Sequence, residues 1–250
     1  MANQNPTPSC AYCLSNHPST NEHVIPRTWF PEDDPIKAPI IIRACHACNN
    51  EKSKNDEWLR KWFTSLVSDQ SPEAMKLLYG PVARSIRRKP ALGKEMMNRM
   101  TLVNVFDRPT HLWLGRKTRV AIGTEDWNRI LGWVSQIVRG LYAWDKKEGL
   151  PRGYEVQTFF ACDEWFRPKD FAKSLLSYMP FPQAWHLKDA KVFMFGRAYV
   201  PEEPRTSIWI TGFYNRAMFI SFVGKREWIE ERRKAWNESG RIKQYPEKRY

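Results

Sequence analysis

No apolar run in this chain approaches the roughly 20 residues that a helix needs to cross a bilayer, so the expected protein is not a helical membrane protein. The first residues, Met-Ala-Asn-Gln-Asn-Pro, lack the charged-then-apolar pattern of a secretory leader, and a cytoplasmic protein is expected. There is no internal repeat and no low-complexity tract, which excludes solenoids and fibrous arrays. Cysteine is scarce: five residues in 250, four of them in close pairs. That suits metal binding in a reducing compartment better than a disulfide framework. Acidic residues are also in deficit, 27 against 40 Lys and Arg, for a formal charge of +13. Such a balance favours a polyanionic partner.

What is present is uneven. Residues 1–60 sum to −1 and the remaining 190 residues carry +14, so the cationic surface lies beyond the N-terminal quarter. Twelve Trp, 13 Phe and 9 Tyr are enough to fill a sizeable apolar interior in a chain of this length, with a few left to stack on bases.

The richest stretch is N-terminal. Cys10-Ala-Tyr-Cys13 is followed by Asn21-Glu22-His23-Val24-Ile25-Pro26 and then by Cys45-His46-Ala47-Cys48-Asn49-Asn50-Glu51-Lys52. Two Cys-x-x-Cys pairs with 31 residues between them can close a tetrahedral zinc site. With sulfur in all four positions no place is open for water, so this Zn²⁺ is structural: metal ligands Cys10, Cys13, Cys45 and Cys48. Zinc would join two distant chain segments and add folding energy that so small a unit cannot draw from its own core.

Between and beside the pairs stand groups able to hold a hard cation and activate water. His23 has an imidazole that takes a proton near neutral pH. Glu22 is either a solvated carboxylate or an oxygen ligand for Mg²⁺ or Mn²⁺. Asn49 is either a helix cap or the opposing amide ligand, with Asn50 as an alternative to it. Arg43, Lys52 and Lys54 are nearby phosphate-contact candidates, and His46 reads as an exposed bystander. Cys162, in Phe-Phe-Ala-Cys, reads as a small buried residue.

Along the chain, Val24-Ile25 reads as a short strand ended by Pro26, and Ile40-Ile41-Ile42 as a second. Residues 51–63 turn amphipathic and helical. Residues 70–100 read as helical and strongly basic; Arg84, Arg87, Arg88 and Lys89 form either a solvated face or a backbone-phosphate stripe. In 125–145, Trp127, Ile130, Leu131, Val134, Ile137, Val138, Leu141 and Tyr142 recur at helical spacing, with Thr124 as N-cap. Residues 154–160, 191–200, 207–214 and 217–223 read as strands of an antiparallel meander, with a tight turn at Asn215-Arg216 and a helix at 169–179. The fold class is therefore α+β. Its expected parts are a zinc unit over 1–63, a basic helical region over 64–150, a sheet over 151–224 and a charged tail over 225–250.

Residues 10–56 resemble the HNH (ββα-metal) endonuclease family in its zinc-containing form: CxxC, an acidic-His pair, then CxxCN followed by x-x-Lys. By that resemblance His23 corresponds to the general base, and Glu22 and Asn49 to the ligands of a catalytic Mg²⁺ or Mn²⁺. Glu22 stands where Asp is more usual, and Ser53 where many members carry a further His. The segment Val138-Arg139-Gly140-Leu141-Tyr142 is similar to regions that follow such motifs. The resemblance implies one-metal hydrolysis of DNA phosphodiesters, leaving 5′-phosphate and 3′-hydroxyl ends. The sequence leaves RNA open as the nucleic acid, and a homodimer would suit cutting both strands with one site per chain. The alternative is a non-catalytic zinc protein that binds nucleic acid.

Overall fold

Strand β1 (Thr20–His23) pairs antiparallel with β2 (Ile41–Ala44), with Thr20 opposite Ala44 and His23 opposite Ile41. Helix α1 (His46–Val67) begins two residues later, inside the second Cys pair. The computed structural model describes residues 9–15, 17–34, 40–107, 109–161, 184–186 and 191–238. The first strand thus lies ahead of Val24-Ile25, which follow it as buried residues; Val24 still donates its amide to Ile40 O at 3.0 Å. The expected helix over 51–63 is longer at both ends.

Beyond α1 come the short helices α2 (Pro72–Leu77), α3 (Ala83–Arg88) and α4 (Pro90–Asn98). A wide turn at Leu78–Val82, holding Gly80 and Pro81, separates the first two. Within the stretch expected to be helical, the chain then forms a hairpin of β3 (Met100–Phe106) and β4 (Trp113–Val120). This is a correction to the helical reading of 64–150. Neither strand has one buried face, so neither shows the apolar alternation that marks a half-buried strand.

Helix α5 (Thr124–Lys146) matches its periodicity, although its cap is one residue earlier than expected: Gly123 caps it, and the Gly123 amide donates to Asp126 Oδ2 at 3.0 Å. The remaining described strands are β5 (Tyr154–Ala161), β6 (Ala184–His186), β7 (Phe193–Val200), β8 (Glu203–Phe213) and β9 (Ala217–Lys225). They form one antiparallel sheet in the order β5-β9-β8-β7-β6. The last four run as a meander, and β5 adds to its far edge against β9. Tyr214 and Asn215 both adopt positive φ in the β8–β9 turn, as a tight hairpin of right-twisted strands requires. Helix α6 (Arg226–Glu238) opens the charged tail. The expected helix over 169–179, Cys162 and residues 239–250 lie outside the described residues.

Alternation along the strands gives the sheet two apolar faces. Trp209, Phe213, Phe219 and Val223 enter the main core, while Ile210, Ile220 and Phe222 pack with Ile229 of α6. The main core is continuous from the zinc-type knuckle to the sheet, taking in Ala11, Val24, Trp29, Phe63, Val134 and Phe213. Trp29 lies at its centre. Its ring stacks on Trp133 at 4.5 Å between centroids and contacts Phe63, Phe213 and Tyr214. Contacts of this kind are each worth about 0.5–1.5 kcal/mol beyond area burial.

The approach of the N-terminal hairpin to α5 depends on Gly140. A Cβ there would come within 3.0 Å of Val24 Cγ2 and 3.2 Å of Ile42 Cδ1. The small residue in Val138-Arg139-Gly140-Leu141-Tyr142 therefore lets Ile42 of β2 and Val24, just after β1, come close to the helix.

Candidate metal centre

The sulfurs of Cys10, Cys13, Cys45 and Cys48 all lie within 4.8 Å of one another, and so are positioned to hold a metal ion. Among the described residues this is the one such group of His, Cys, Asp and Glu. Local backbone bonds build it. Leu14, with φ of 63°, closes the first knuckle and donates to Cys10 O at 2.9 Å. Ala11 N bonds Arg43 O at 3.0 Å, lacing that knuckle to β2. Cys45 caps α1 and donates its amide to Cys10 Sγ at 3.3 Å. The Sγ atoms of Cys13 and Cys45 are 3.7 Å apart.

Electrostatics within the cluster call for a cation. Hydrogen bonds from Ser15 hold the Cys13 thiol down at about 6. Burial, together with the neighbouring Cys45 and Cys13 thiols, pushes Cys48 far up. The Cys13 thiolate thus forms readily while that of Cys48 resists, because burial first, and then its neighbouring thiols, disfavour its charge. A divalent ion at the centre removes that conflict.

The polar residues between the pairs are placed by α1 lying across β1. Thr20 donates its hydroxyl proton to Ala44 O at 2.9 Å, so its oxygen must accept from Asn49, whose Nδ2 is 3.1 Å away. This fixes the Asn49 amide with its oxygen turned away from Thr20. Asn50 and His46 are exposed, and Ser53 donates back to Asn49 O at 2.7 Å.

Glu22 is not on an open metal face. It is buried, at 7% exposure, and its Oε1 accepts from Lys52 Nζ at 2.7 Å. Lys52 is buried as well, reaching His23 O at 3.3 Å and Asp56 Oδ2 at 3.5 Å. Burial pushes the Glu22 and Asp56 carboxyls up against the opposing pull of Lys52. Lys52 is accordingly no phosphate contact. Its Nζ sits between two interior carboxylates, the pairing that offsets the cost of burying such a group.

His23 follows Glu22 on a strand whose side chains alternate, so it leaves the opposite face, where it is half-buried. Burial first, then Arg27 and Lys52, lowers its pKa from the ordinary 6.5, keeping the imidazole neutral. The structure thus brings Asn49 to Thr20 and Glu22 to Lys52, while His23 leaves β1 on the face opposite Glu22. Of the other phosphate-contact candidates, Arg43 is bound to Asn21 Oδ1 at 2.9 Å and Pro18 O at 2.7 Å. Lys54, Arg84, Arg87, Arg88 and Lys89 are exposed, with Lys89 reaching Glu57 at 3.2 Å.

Sequence reasoning passed over Thr20, Asp56 and Trp133. Asp56 Oδ1 accepts the Trp133 indole N–H at 2.7 Å, and its backbone carbonyl accepts that of Trp29 at 3.2 Å. A signal existed in the four-residue spacing of Lys52 and Asp56 on α1, which places them on one helix face. No helix among the described residues is long and apolar enough to cross a membrane. Comparison with protein-family models, with curated proteins and with solved structures gives no match.

Proposed function

We propose that the chain is a metal-dependent endonuclease of the HNH type acting on DNA, built on a structural zinc. The observation that carries this reading is the ββα order of the N-terminal unit: two short antiparallel strands run directly into a helix, with His23 on the first strand, Asn49 in the first helical turn, and four sulfurs joining their ends. Zinc suits the sulfurs. A tetrahedron with Zn–S bonds of 2.3 Å has edges of about 3.8 Å, which the 3.7 Å between Cys13 and Cys45 matches.

A catalytic Mg²⁺ or Mn²⁺, when bound, supplies positive charge to phosphate oxygens in the transition state. Asn49 fits that role, because its amide oxygen is left for a ligand. Glu22 in this arrangement does not fit, because Lys52 holds its carboxylate inside the protein. The work assigned to the chain itself is therefore limited to two acts. His23, kept neutral by its surroundings, takes a proton from the attacking water. The Glu22–Lys52–Asp56 network fixes the strand that carries His23 against the helix that carries Asn49.

A second reading is favoured by the same ion pair: with Glu22 committed to Lys52, the unit is a zinc-stabilised nucleic-acid-binding module without hydrolytic activity. Supercoiled plasmid incubated with the purified protein and Mg²⁺ or Mn²⁺ separates the two. Nicking that His23→Ala abolishes supports the nuclease. Gel retardation with intact plasmid under every metal condition supports the binding module.

A further inference from the structure

The β3–β4 hairpin stands apart from the core it grows out of. Met100 and Val120 at its base pack against the main core. Seven residues of β3 then extend outward, about 24 Å at 3.4 Å per residue. A two-stranded ribbon alone is marginal in water, yet this one is firmly tied at its tip. Asp107 Oδ2 accepts from Thr110 N at 3.0 Å, and Asp107 N donates to Leu112 O at 2.8 Å. Beside the tip, Gly115 at φ +105° lies where the register shifts between Val105 and Phe106, a bulge that adds twist to the ribbon.

Its surface is unusual in two respects. Neither strand carries an acidic residue, while β4 carries Arg116, Lys117 and Arg119, all exposed. Asn104 opposes Arg116 on one face, and Val103 and Thr101 oppose Lys117 and Arg119 on the other, so cations leave both faces. At the outer end Leu112, Trp113 and Leu114 are more than half exposed, at 65%, 61% and 60%. Trp113 is steadied across the ribbon by its indole N–H to Asn104 Oδ1 at 3.4 Å.

We propose that this hairpin is a duplex-DNA-binding arm that lies in a groove, with its cations on the phosphate walls and its apolar tip against base steps. A two-stranded ribbon fits a DNA groove. Apolar wedges at base steps, flanked by cations, are a recurrent way of gripping a duplex. A second copy of this chain is the poorer occupant, because two arms laid together would set Arg116, Lys117 and Arg119 against their own copies. The inference rests on the proposal that the partner is nucleic acid, and goes beyond it by assigning the grip to residues outside the zinc unit.

The test uses the full chain and a short phosphorothioate duplex, read by fluorescence anisotropy across a salt series without added divalent ion, so cleavage plays no part. Arg116→Gln/Lys117→Gln/Arg119→Gln is expected to weaken binding about tenfold or more and to reduce the log–log salt slope by about 0.9 per lost phosphate contact. Leu114→Ser, which keeps the charge, is expected to weaken duplex binding without changing that slope. A far-ultraviolet spectrum and melting temperature like those of the parent confirm that both variants fold. Unchanged affinity and slope in the triple variant overturn the arm, as does a parent that fails to bind duplex. A dimer that dissociates on Leu114→Ser, with duplex affinity unaltered, overturns it in favour of self-association. A protein that binds through the arm and never nicks plasmid overturns only the nuclease reading.

Discussion

The indole N–H of Trp133 reaches Asp56 Oδ1 at 2.7 Å, joining α5 to the helix that carries the second Cys pair across 77 residues of sequence. Asp56 also faces Lys52, and its carbonyl accepts from Trp29. One carboxylate thereby fixes the four-cysteine unit on the main core. Asp56→Ala should cost about 2–4 kcal/mol, since it leaves both an indole donor and part of a buried ammonium unpaired. Asp56→Asn keeps an oxygen for Trp133 and should cost less. Urea unfolding followed by Trp fluorescence measures both, and equal losses would show that the Trp133 bond contributes nothing.

Lys52 and Glu22 offer a double-mutant cycle. Lys52→Met leaves two carboxylates in the interior and should destabilise by about 3–5 kcal/mol, whereas Glu22→Gln with Lys52→Met should recover part of that loss. Folded Glu22→Gln protein should cleave as the parent does, because its carboxylate is spent on Lys52. Abolished cleavage in a stably folded Glu22→Gln protein would return Glu22 to the metal.

With His23 as the base of the proposed nuclease, cleavage should depend on pH. A base works in its neutral form, so the rate rises with pH through the imidazole pKa, and burial with Arg27 and Lys52 places that pKa below 6.5. Activity should therefore persist on the acid side of an ordinary histidine. Arg27→Ala should move the acid limb of the kcat/KM profile upward in pH. His23→Ala should lower cleavage roughly 10²–10⁴-fold. An acid limb that stays in place in Arg27→Ala would dissociate it from His23.

Glu57 predicts an acid sensitivity of stability. Hydrogen bonds from Ser85, then Lys61 and Lys89, hold its carboxyl down at about 2, against 4.5 unperturbed. A depressed folded-state pKa adds stability above the unfolded value and loses it as pH falls toward the folded one. The melting temperature should thus drop between about pH 5 and pH 2, and Glu57→Gln should flatten that drop. Scanning calorimetry of the pair over this range decides it.

Much of the architecture was legible, and the exceptions have physical causes. The α5 periodicity and the strands of the sheet could be read because each buries an apolar face that leaves a period in the chain. The β3–β4 ribbon buries neither face, so the only signs were Val103, Val105, Thr118 and Val120 around a Pro-Thr turn. The four sulfurs could be read from spacing alone. The Glu22–Lys52 pair could not, since a lysine after a Cys-x-x-Cys-Asn run looks like a surface cation until the helix is laid on the strand. Placing that strand at Val24-Ile25 rather than Thr20–His23 also hides that neighbours Glu22 and His23 must face opposite ways.

Metal-bound knuckles are commonly treated as portable cassettes, able to be cut from one polypeptide and grafted onto another. Tyr214, on the far side of the sequence, donates its hydroxyl to Trp29 O at 3.1 Å while stacking on the same indole. Excising the first 63 residues would strip Trp29 of that partner and of Trp133, leaving a wide greasy wound in water. A transplant of the knuckles must therefore carry Trp133 of α5 and Tyr214 of the β8–β9 turn along with them.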